Sequence, residues 1–153
     1  MTMTDGSSAR SRSIGFFTTS VGAGDGQPSF TYTTGFWLTL KAPEIITFAL
    51  KGGHDLAWNL FRDLKDGAVL PVGRPVANVL EDFSVYFFPM AERKYSGYLN
   101  WSRWFYNGTA FPCLQMVWPD KKGLFPWQDG FDEAFRGDQP DLTDNGWIAS
   151  LPN

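Results

Sequence analysis

A chain of 153 residues with a formal charge of −3 is one domain's worth of sequence, long enough to close a core without disulfide staples. Its acidic and basic residues are interspersed, which excludes the basic stripe of an electrostatic nucleic-acid binder. One cysteine, Cys113, and one histidine, His54, exclude a disulfide framework and a thiolate or imidazole metal cluster.

Residues 1–13 are rich in Ser, Thr, Gly and Arg without apolar periodicity, and are expected to form a flexible tail. With no leader-like segment and no apolar run long enough to span a bilayer, no membrane role is expected and the cytoplasm is the expected address. Ile14–Val21 has the β-branched and aromatic vocabulary of a strand, and Ser29–Leu40 alternates Phe30 and Tyr32 with Thr31 and Thr33. The two form a hairpin. The intervening G-A-G-D-G is followed by a strand rather than a helix, so it reads as a turn and not as a phosphate cradle.

After Pro43, Glu44–Leu50 is a short, mostly apolar, buried strand. His54–Lys65 places Leu56, Ala57, Leu60, Phe61 and Leu64 at helical spacing, with Gly67 as its stop. His54, at the start of that helix, reads as a capping or surface residue, because nothing local supplies a nucleophile, a carboxylate or companion ligands. Val76–Leu80 and Phe83–Met90 read as two further strands, the second apolar on both faces and so central or covered on both sides. A second helix is expected over Glu92–Tyr106, weakened by Gly97 and stopped at Asn107-Gly108. Cys113–Trp118 is a buried strand, and Phe131–Arg136 a helical turn.

The resulting expectation is a single α+β domain over residues 14–140: a curved antiparallel sheet of five or six strands with two main helices packed on it. Residues 141–153 form an extension that docks through Trp147, Ile148 and Leu151.

The chemistry-bearing stretch is Trp101–Trp127, which holds four of the seven tryptophans with Arg103, Gln115 and Asp120 threaded among them. Trp118-Pro119-Asp120 near Cys113 invites a phosphatase reading, but the residue six after Cys113 is Pro119, where that mechanism needs an arginine. No G-x-S-x-G elbow is present, and no catalytic residue is assigned. Candidate ligand contacts are Trp104, Tyr106, Gln115, Trp118, Asp120 and Trp127, with Thr33 and Thr34 across the sheet; Asp120 alternatively caps its own loop or pairs with Arg103.

F-x-Y-T-x-G at Phe30–Gly35, P-E-I at Pro43–Ile45, W-F-Y at Trp104–Tyr106 and F-P-x-L-Q-x-V-W-P-D at Phe111–Asp120 occur together. With G-x-F-P-W at Gly123–Trp127 and Gln139-Pro140, they give a sequence that resembles the bacterial domain of unknown function family 4262 over about Ile14–Pro140. The resemblance implies a bacterial protein of unassigned activity. Such relatives carry a histidine-containing H-G-W-H-like segment before the first strand, whereas this chain has Arg12-Ser13-Ile14-Gly15. Any chemistry seated on those histidines would be missing here.

Three functional readings follow. The favoured one is a ligand- or partner-binding domain with an aromatic pocket in its C-terminal half. The alternative rests on a layout similar to the first half of flavin-reductase-like split barrels, and implies an FMN-binding oxidoreductase whose flavin meets Thr33, Thr34, Trp37 and Trp58. The third is an immunity-like protein-interaction module with no small ligand. Exposure separates them: a pocket buries its aromatics around a cavity, and an interaction module shows them on an open surface.

Overall fold

The computed structural model describes residues 15–152, so the expected tail over residues 1–13, with Arg10 and Arg12, lies outside the described residues. Five strands form one sheet: β1 (Phe17–Val21), β2 (Phe30–Thr34), β3 (Glu44–Phe48), β4 (Tyr86–Pro89) and β5 (Cys113–Val117), in the order β1-β2-β3-β5-β4. Among the described residues the α-helices are α1 (Phe36–Leu40), α2 (Gly53–Lys65) and α3 (Asn100–Phe105), with 3-10 turns at Glu92–Gly97, Glu133–Phe135 and Ile148–Ser150.

The α+β class and the five-stranded sheet agree with the sequence. The sheet is not wholly antiparallel, however: β3 and β5 run parallel, with Glu44 beside Cys113 and Ile46 beside Gln115. Every residue of these two central strands is buried, as expected for strands covered on both faces. One face meets α2, where Ile45, Leu114 and Met116 pack with Leu56, Leu60 and Phe61. The other holds Ile46, Phe48 and Cys113 with Tyr95, Leu99 and Phe111.

Three local expectations are corrected and one open alternative is decided. Only Phe30–Thr34 of the long second strand is extended; Gly35 turns at φ 119° and Phe36–Leu40 is helical. The free amides at that helix start are taken up by Glu44 from the next strand and by Tyr106, so tertiary contact overrides strand propensity. Second, Val76–Leu80 contributes only one bridge, Val76 to Val85. Third, of the two placements open to β4, central or covered on both sides, the second holds: it is an edge strand with Phe87 and Phe88 buried on its opposite faces. Fourth, the helix expected over Glu92–Tyr106 is broken at Tyr98 (φ −137°, ψ −43°) and Leu99 (φ −100°, ψ 42°). Tyr95 and Leu99 must both reach the core, and Tyr95 also donates its hydroxyl to the Phe111 carbonyl at 2.9 Å; the kink beside Gly97 lets both do so.

The C-terminal extension docks through Trp147 and Leu151, which pack on Phe88, Val117 and Phe125, while Ile148 is 68% exposed and takes no part. Among the described residues no helix is long and apolar enough to cross a membrane.

Candidate functional site

Glu44 opens β3 directly after Pro43 and is fully buried. Its Oε1 accepts from Thr33 Oγ1 (2.7 Å) and the Phe36 amide (3.2 Å). Its Oε2 accepts from the amides of Gly35 (3.0 Å) and Trp37 (3.1 Å) and from the Tyr106 hydroxyl (2.5 Å). One carboxylate thus joins β2, the start of α1 and the end of α3. Burial pushes the Glu44 carboxyl above its ordinary range, against the pull of Tyr106, Thr33 and the amides of Trp37 and Gly35. Burial and the adjacent Glu44 likewise push the Tyr106 phenol up. The sequence reading assigned Glu44 no role; an acid heading a mostly apolar strand was the available signal.

The structure brings Thr33 and Tyr106 together at Glu44. Thr34 bonds elsewhere, its hydroxyl 2.6 Å from that of Ser102. Both threonines are buried, so their hydroxyls face the interior.

Gln115, Trp118, Asp120 and Trp127 occupy a second region. Gln115 donates to the Pro140 carbonyl (2.6 Å) and accepts from the Leu142 amide (3.1 Å) and Trp147 Nε1 (3.3 Å). This buried amide clasps the C-terminal extension. Trp118 donates its indole N–H to the Phe48 carbonyl at 2.8 Å. Gln139, absent from the sequence-based candidates, both accepts from the Trp118 amide and donates to the Trp118 carbonyl.

Asp120 accepts from the amides of Lys122, Leu124 and Asp132, at 2.9, 3.0 and 2.9 Å. Burial alone would raise its carboxyl, but the amides of Leu124, Asp132 and Lys122 and the Lys122 charge hold it below the ordinary range. It shapes its own loop and does not pair with Arg103, which bonds Asn100 instead. Trp127 stacks on Phe125 (centroids 5.2 Å apart) and lies edge-on to Tyr86 (4.9 Å).

Cys113 is buried and its thiol is pushed well up, first by burial and then by Glu44, so it is a packing residue. His54 is not a helix cap: α2 starts from Gly52 without a side-chain cap, and His54 Nδ1 lies 3.0 Å from Thr18 Oγ1, tying α2 to β1. No group of three or more His, Cys, Asp or Glu able to hold a metal occurs among the described residues.

Trp104 stands apart. It is 68% exposed, stacked on Trp101 with centroids 4.8 Å apart and planes at 18°. Asn100, Arg103 and Trp104 share one face of α3. With Asn107 and Gly108, just past its end, they line an open cleft of about 410 Å³.

A family model described as Domain of unknown function (DUF4262) matches residues 11–132. The chain belongs to this family. No curated protein and no solved structure matches it. The span shared with the DUF4262 family holds Glu44, Tyr106, Trp104 and the Gln115 strand, whereas the Gln139 and Trp147 partners lie beyond it.

Proposed function

We propose that this member of the DUF4262 family is a protein-interaction module whose contact face is centred on Trp104. The observation that carries this reading is the exposure of that indole on an open surface, held flat by Trp101. A rigid, pre-stacked tryptophan offers a large apolar area at little entropic cost, the property of an interface anchor. Small-molecule sites are concave and enclose most of their ligand, unlike this shallow cleft.

The geometry lends no support to an enclosed pocket around Gln115, Trp118 and Asp120, whose polar atoms are engaged within the chain. It lends none to the flavin alternative either, because Thr33 and Thr34 are buried with their hydroxyls bonded to Glu44 and Ser102.

The test is site-specific photocrosslinking in cells that encode the chain, with the reactive group at the exposed Asn107 or at Val69, on the α2 side. A discrete adduct from position 107 that disappears on Trp104→Ala is expected. Equal adducts from both positions, or none that depend on Trp104, would overturn the proposal.

A further inference from the structure

The Trp104 cleft carries charge of one sign. Its lining is Asn100, Arg103, Trp104, Asn107 and Gly108, with one guanidinium and no carboxylate, in a chain whose formal charge is −3. Among the described residues the ion pairs are Arg93–Asp144 and Arg136–Glu133, and neither involves Arg103.

Arg103 donates from Nη1 to Asn100 Oδ1 at 3.1 Å, while its buried Nε has no hydrogen-bond partner. Glu92, an acid in the preceding 3-10 turn, accepts from the Thr109 hydroxyl and makes no ion pair with Arg103. The last carbonyls of α3 are also covered, by the amides of Tyr106, Asn107 and Gly108, which blunts the negative helix end beside the cleft. A guanidinium positioned by an amide, short of acceptors and adjacent to an exposed indole has its carboxylate partner still to come.

Resting on the interaction-module reading, we infer that the partner is an acidic peptide segment. It sets an Asp or Glu carboxylate against the Arg103 guanidinium and lays a neighbouring apolar side chain on Trp104. The carboxylate supplies charge complementarity and orientation, and the apolar neighbour supplies the buried area.

Random-peptide phage display on wild type, Arg103→Gln, Asn107→Asp and Trp104→Ala tests this. Wild type should enrich peptides with a carboxylate next to an apolar residue, and Trp104→Ala should enrich nothing. Arg103→Gln should weaken a selected acidic peptide about tenfold, a charge-assisted contact's worth. Asn107→Asp, an exposed change that puts a carboxylate beside Arg103, should erase the acidic preference and guards against a folding defect in the arginine variant. Enriched peptides that require Trp104 but show no acidic bias would overturn the inference and leave the interaction module standing. Absence of any enrichment dependent on Trp104 would overturn both.

Discussion

The Tyr106 hydroxyl donates to the fully buried Glu44 carboxylate across 62 residues of sequence. That phenolic oxygen also accepts from the amides of Gly35 and Leu38, both at 3.2 Å. Glu44 and Tyr106 therefore satisfy the start of α1 between them, a role that local N-capping residues fill elsewhere. Replacing Glu44 by Ala removes the acceptor of five donors, of which the Gly35 amide alone keeps a second one in Tyr106, and should cost about 3 kcal/mol or more. Tyr106→Phe removes one donor to Glu44 and should cost about 1–3 kcal/mol. Urea unfolding of both variants checks the order; equal losses would contradict the central place of Glu44.

The two perturbed carboxyls should give opposite pH signatures. Glu44 is raised above its ordinary 4.5, so the proton-linked part of its contribution, as distinct from its five hydrogen bonds, is present below that pH and lost as pH rises through the folded value. Asp120 is lowered from 3.8, so its contribution is present above that pH and lost as pH falls through its folded value. The stability gap between wild type and Glu44→Ala should narrow as pH rises, and the gap to Asp120→Asn should narrow as pH falls below 3.8. Denaturant titrations across acid and neutral pH read both slopes.

Gly35 is irreplaceable for two reasons. Its φ is 119°, and an added Cβ would lie 2.6 Å from the Gly15 carbonyl oxygen and 2.7 Å from the Phe16 Cα. Both obstacles are backbone, so Gly35→Ala should lose about 3 kcal/mol through strain and displacement of β1. A melting temperature within 2 °C of wild type, roughly the resolution of such a scan, would contradict this close approach.

Gln115→Ala should release the C-terminal extension before it unfolds the sheet. It deprives the Leu142 amide, Trp147 Nε1 and the Pro140 carbonyl of partners. The expected signs are a loss of about 2–3 kcal/mol and early proteolytic cleavage after residue 140.

Trp104→Ala should be nearly silent in stability, costing about 0.5–1.5 kcal/mol for the lost stacking on Trp101. Trp118→Ala, by contrast, removes a buried indole bonded to Phe48 and should cost about 3–5 kcal/mol. Thermal melts of the pair distinguish the surface anchor from the core residue.

The sequence by itself determined the α+β class, the β1–β2 hairpin with its glycine turn, the long helix α2 and the burial of Cys113–Val117. Each of these is written in local periodicity or turn chemistry, which neighbouring residues report directly. Only the tertiary structure decided that Phe36–Leu40 is a helix, because the carboxylate that accepts its first amides arrives from the next strand. Only it separated the tryptophans, seating Trp118 under a Phe48 hydrogen bond and leaving Trp104 in solvent. Composition shows that rings are abundant; which ring is buried depends on what packs over it, and those residues are remote in the chain.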